Sequence, residues 1–257
     1  MEVKPYLMNM NLPFTTKIKM ADVIHMDYRL IPVIGRFGIE YGFGNKTVAE
    51  VCEEKNINIW FFLEIINSCH NPGYFPKKQL QNFDVELIVN YLSNTHSYYL
   101  NIKVPEIQGY IDEMEREVPE EHIKNIKHLN NFFKGYQKEL NEHLLKEDQN
   151  VFPYVLALEE ALRNKKLSDE LLVKIQNEPI EKYERNHDNI EIKLSDLKNL
   201  IIKFLPPVIC NELCQKLLTE LFRLESDMEN HARIEDKVLV PKVKHIEKKL
   251  LEYCGTE

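Results

Sequence analysis

Glycine is scarce in this 257-residue chain, at eight positions. A fold of many short strands and tight turns needs more, so long regular helices are the expectation. Lysine-rich tracts are missing, and a formal charge of −8 with a pI near 5.7 offers no electrostatic footprint for phosphate. Nucleic acid is therefore not an expected ligand. No long apolar run is present either: the longest, around Ile59 to Ile66, is interrupted by Glu64 and is too short to span a bilayer. Residues 1–19, with Lys4, Pro5, Asn9, Asn11 and Pro13, lack the apolar centre of a signal peptide. The expectation is a cytoplasmic protein that does not engage a membrane. The five cysteines, Cys52, Cys69, Cys210, Cys214 and Cys254, are odd in number and show no C-x-x-C spacing, which argues for reduced thiols and against a disulfide framework.

What the chain does contain is a repeated segment. His143-Leu-Leu-Lys-Glu147-Asp148 leads to Val151-Phe152-Pro153, and His231-Ala-Arg-Ile-Glu235-Asp236 leads to Leu239-Val240-Pro241. The His, Glu, Asp and Pro all keep one offset of 88 residues, a register that shared composition would not preserve. The unit is a duplication.

Punctuation places these segments. Residues 68–81 hold two prolines and a glycine, after which helical periodicity begins, so a domain boundary is expected between residues 75 and 76. That split leaves nearly all the negative charge in residues 76–257. Four long helices are expected there: Val85 to about Glu117, Glu120 to about Arg163, Glu181 to about Phe204, and Pro207 to about Tyr253, with a short one near residues 167–178. Long helices with short connections make an up-down four-helix bundle. In residues 1–75 three short helices are expected, Ala21–Phe37, Val48–Lys55 and Ile59–Ser68, the second opened by the capping box Thr47-Val-Ala-Glu50. The fold class is all-α.

Positions i and i+4 share one helical face, so His143 with Glu147, and His231 with Glu235, each aim a nitrogen and a carboxylate at one point. The two remaining helices supply one candidate each, His96 and His187. Four imidazoles and two carboxylates suit two iron or manganese ions, because a carboxylate can bridge two cations while an imidazole serves one. Ligand type favours iron and leaves manganese open. Zinc fits less well, since no cysteine holds a matching position.

These residues resemble the iron-sulfur cluster repair di-iron proteins, the RIC or YtfE/ScdA-like family, with their hemerythrin-like bundle. The resemblance runs through Thr95-His96, His143 to Pro153, Pro179-Ile180 with Glu184-Arg-Asn-His187-Asp188, and His231 to Glu235 with Pro241. It also covers Val23 to Arg29, Phe37 to Tyr41 and Thr47 to Cys52 in the leading domain. It implies a non-haem, oxo- or hydroxo-bridged di-iron centre with His96, His143, His187 and His231 as terminal ligands and Glu147 and Glu235 as bridges. It further implies a role in nitrosative or oxidative stress, by iron donation to damaged iron-sulfur proteins or by binding and reduction of nitric oxide. The alternative is reversible binding of oxygen or nitric oxide by a sensor without turnover. One departure is plain: where that family carries two adjacent cysteines, this chain has Gly42-Phe43, so thiol chemistry cannot arise there.

Other residues are read as structural. Cys52, Cys210 and Cys214 are expected in packed helices. Tyr98, Tyr99, Phe132, Phe133 and Tyr183 fall at core spacing, and His122 and His128 lack a paired carboxylate and stay unassigned.

Overall fold

The computed structural model describes residues 13–182, 188–209 and 212–254. Among them there is no strand; one isolated bridge joins Lys19 and Thr47. Two compact units divide between Phe83 and Asp84, eight residues beyond the boundary expected from the prolines.

In the first unit the capping box forms. The Thr47 hydroxyl accepts from Glu50 N–H at 3.3 Å, and the Glu50 carboxylate accepts from Thr47 N–H at 2.7 Å, starting helix Val48–Glu54. Asn58 caps Ile59–His70 from one side only, its side-chain oxygen accepting the N–H groups of Trp60 and Phe61. Phe61, Phe62, Ile65 and Ile66 on that helix are buried, with Phe37 set edge-on to both phenylalanines.

The single helix expected over residues 21–37 is instead two, Met20–Met26 and Leu30–Gly35. The break is Asp27, whose backbone is extended at φ −149° and ψ 95°. Its carboxylate accepts the Arg29 N–H and two guanidinium bonds at 2.8 and 2.7 Å, and it lies 2.9 Å from His70 Nδ1. A short acidic side chain that binds the backbone two residues on competes with the helix, and propensity along the run does not reveal the competition. A further short helix, Lys77–Leu80, was not expected. Gly42 sits at φ +95°, a conformation that L side chains rarely adopt, so a cysteine at this position would be strained.

The second unit is the four-helix bundle. Its first helix covers residues 85–117, its second residues 123–164 after the one-turn Glu120–His122, its third Asp188–Phe204, and its fourth residues 212–254. The first helix packs on the second and fourth, and the third packs on the same two, which closes a ring of four. Inside lie Ile107, Ile111, Leu129, Phe133, Leu140, Leu197, Leu217 and Leu221, all fully buried. A short helix, Asp169–Asn177, capped by Ser168, links the second and third. Buried ion pairs hold neighbouring helices in register: Lys103 with Glu220 at 2.6 Å, and Lys198 with Glu225. Burial lowers the Lys103 ammonium, yet its hydrogen bonds to Glu106 and Glu220 outweigh that and hold it above the ordinary lysine range.

Three of the four helices widen once, into π turns at Tyr99–Lys103, Glu147–Val151 and Glu235–Leu239. Each wide turn starts six residues before a proline, Pro105, Pro153 or Pro241. Proline has no N–H to donate, and in a regular helix its ring collides with the carbonyl four residues back. Opening the preceding turn to i→i+5 bonding gives the ring room, so the helix continues.

Candidate metal centre

The wide turns place the donors. Glu147 and Glu235 are the first residues of two of them, and the third begins three residues after His96. His96, Glu147, His231 and Glu235 each turn one ligand atom inward, and these four atoms lie within 4.8 Å of one another. The relative exposures of the four residues are 1, 9, 7 and 4%. His96 Nε2 lies 3.2 Å from His231 Nε2 and 3.4 Å from Glu147 Oε2, and His231 Nε2 lies 3.2 Å from Glu235 Oε1. His143, only partly buried, adds Nε2 at 3.1 Å from the other oxygen, Glu147 Oε1. Glu147 therefore stands between two imidazoles, one oxygen toward each. His187 lies outside the described residues, as does Tyr183.

The donor chemistry fits a cation. Two imidazole nitrogens and two carboxylates converge in a dry pocket, where unpaired charges would lose several kcal/mol. Burial pushes the His96 imidazole below its ordinary pKa, against the hydrogen bond it donates to Asp148, so the ring is neutral at neutral pH. Neutral imidazole is the metal-binding form. Asp148 Oδ1 sits 3.0 Å from His96 Nδ1, which keeps the ring proton on Nδ1 and turns the Nε2 lone pair toward the other donors. The Phe152 ring stacks on His96 at 5.3 Å, and the fully buried Tyr99 meets the His231 ring edge-on at 5.9 Å.

Sequence reasoning assigned no role to Asp148, although its place in the duplicated segment marks it. Tyr99 and Phe152 give no such signal, because an aromatic facing a ligand and one filling a core share the same spacing. His122 pairs with Glu121 at 3.4 Å and His128 is exposed, so neither joins the donors. Cys52 and Cys214 are buried packing groups, and burial raises the Cys52 thiol to about 11; Cys210 lies outside the described residues. No described helix is long and apolar enough to cross a membrane.

Residues 104–243 match the Hemerythrin HHE cation binding domain, a span that takes in His143, Glu147, His187, His231 and Glu235 and begins just after His96. Over 216 residues the chain is 22% identical to the iron-sulfur cluster repair protein ScdA of Staphylococcus haemolyticus, covering 82% of this chain and 90% of that protein.

Proposed function

Since this chain belongs to the hemerythrin HHE cation-binding family, in its branch resembling the iron-sulfur cluster repair proteins, we propose that its bundle holds two iron ions. In this reading His96, His143, His187 and His231 would be terminal ligands, and Glu147 and Glu235 would be shared between the metals. The observation that carries it is the placement of Glu147, with Oε1 beside His143 and Oε2 beside His96. A carboxylate with one oxygen toward each of two imidazoles on different helices is placed to serve two ions. Bound there, two irons would supply a redox-active pair able to take a diatomic ligand.

The residues do the rest. Asp148 fixes the His96 tautomer, Phe152 and Tyr99 keep water from the two imidazoles, and the carboxylates would hold iron by bonds labile enough to let it leave. We infer a cytoplasmic protein of the nitrosative or oxidative stress response, which gives iron to damaged iron-sulfur proteins or binds and reduces nitric oxide. Manganese could use the same donors.

The test is bound iron in Glu147→Ala and Glu147→Gln, measured by mass spectrometry after anaerobic reconstitution. Wild type should hold about two irons per chain and both variants clearly fewer; unchanged stoichiometry would sink the bridging assignment. A second reading, sensing without turnover, draws on Gly42 at φ +95° in place of a cysteine and on Trp60, which is 63% exposed in the same unit. Restoration of a damaged cluster by the intact protein favours repair. Reversible oxygen or nitric oxide binding with no turnover favours sensing.

A further inference from the structure

The duplication runs further than the metal donors. Twelve residues beyond Glu147 and Glu235 the second and fourth helices carry two more glutamates, Glu159 and Glu247, again 88 apart. At 1.5 Å per residue they lie about 18 Å from the donors along the helix, too far to be ligands. Both side chains make the same bond. Glu159 Oε1 accepts the backbone N–H of Val85 at 2.8 Å, and Glu247 Oε1 accepts the backbone N–H of Ile180 at 2.9 Å.

Those amides are not arbitrary. Val85 is the first residue of the helix that carries His96, and Asp84, at its N-cap, makes no side-chain cap bond. Ile180 opens the one-turn Ile180–Lys182, seven residues ahead of His187. The first N–H groups of a helical turn have no partner within it, and a carboxylate there also meets the positive end of the turn's dipole. Here the cap comes from a different helix in each case, so it ties two elements together as well as ending one.

The residues near these glutamates occupy matching positions but differ in kind. Tyr154 and Lys242 are 88 apart. The Tyr154 hydroxyl donates to Glu247 Oε1 at 2.6 Å. Lys242 feels the carboxylates of Glu159 and Asp84, which oppose the lowering that burial imposes on its ammonium. Each helix that supplies a His-Glu pair thus holds, near its far end, the backbone of another element.

We propose that Glu159 and Glu247 are positioning residues for the metal centre: Glu159 anchors the start of the helix that presents His96, and Glu247 ties the turn at Ile180 to the helix that presents His231 and Glu235. The proposal rests on the metal-binding reading above. A donor set has to be held to within about 0.5 Å, and a helix free to slide at its start does not meet that tolerance.

The experiment measures iron release to ferrozine from the reconstituted full chain, comparing wild type with Glu159→Ala, Glu159→Gln, Glu247→Ala and Glu247→Gln. The alanine variants should release iron about tenfold faster, the low end of the loss seen when a ligand's outer support is removed. The glutamine variants, whose amide oxygen still accepts the N–H, should stay within about twofold of wild type. Ile126→Ala, a core change away from these contacts, supplies the control for general destabilisation. Alanine variants that release iron at the wild-type rate, or no faster than an Ile126→Ala protein with an equal loss of Tm, overturn the proposal. So do glutamine variants as leaky as alanine. A wild type that takes up no iron would instead sink the functional reading. The anchors are then judged by hydrogen exchange at the Val85 and Ile180 amides of the metal-free protein, where unchanged protection in the alanine variants overturns them.

Discussion

Replacing Asp148 with alanine removes the acceptor that holds the His96 ring proton on Nδ1. His96 is 1% exposed with Asp148 in place, and a buried donor that loses its partner costs about 1–3 kcal/mol, toward the low end where water can enter past the partly exposed carboxylate position. The ring can escape that penalty by moving its proton to Nε2, but Nε2 faces His231 and Glu147 and would then be lost as a donor atom. Either way metal binding suffers. Loss of a carboxylate behind a ligating histidine lowers metal affinity about 10- to 100-fold, which is about 1.4–2.7 kcal/mol. The two estimates overlap because they count the same bond. The assay is an anaerobic competition titration against a chromophoric chelator, with helicity checked by circular dichroism. Asp148→Asn, whose amide oxygen can still accept from Nδ1, should fall between alanine and wild type. An Asp148→Ala protein that is fully helical and binds metal within about twofold of wild type would refute the argument, since the tautomer would then be set by something other than Asp148.

Two further outcomes test the scaffold. Lys103→Met leaves the Glu220 carboxylate, 9% exposed, paired with the half-exposed Arg223; stability measured in urea should fall by about 3 kcal/mol. The double variant Lys103→Met/Glu220→Met should recover to within about 1 kcal/mol of wild type, and a single variant as stable as wild type would show that the pair contributes nothing. In the first unit, burial pushes the Asp27 carboxyl upward, but the hydrogen bonds from Arg29 and His70 outweigh it and hold the group below its ordinary 3.8. A depressed carboxyl contributes stability above pH 3.8 that is lost as pH falls through the folded-state value. The stability gap between wild type and Asp27→Asn should therefore be constant near neutrality and close below pH 3.8; a gap that does not change with pH would contradict the assignment.

The bundle is legible in the sequence because its stops are chemical. Val118-Pro119 and Pro206-Pro207 end helices for reasons that hold in any context, and the observed bounds fall within a few residues of those stops. The duplication marks His143, Glu147, His231 and Glu235, and the structure gathers Glu147, His231 and Glu235 with His96, with His143 beside them, while His187 lies outside the described residues. The break at Asp27 was not legible, since it depends on His70, 43 residues away, completing the ring of contacts around one carboxylate. The wide turns left a trace in Pro105, Pro153 and Pro241, but a proline within a helical run equally suggests a kink or an end. Asp148 and the glutamates at 159 and 247 repeat with the same offset as the donors, yet a repeat shows that a residue matters to the unit without naming the group it touches.

A wide turn contains one residue more than the α-helix around it needs, so each of the three is in effect an insertion that the fold has absorbed. Deleting a residue there would restore ordinary pitch and leave the residues beyond on their present faces, but it would bring the proline ring back against the carbonyl four residues before it. The chain is consequently least free to change its length at the level of the donors. Loops elsewhere can lengthen or shorten over generations, while these three turns have to keep their count together.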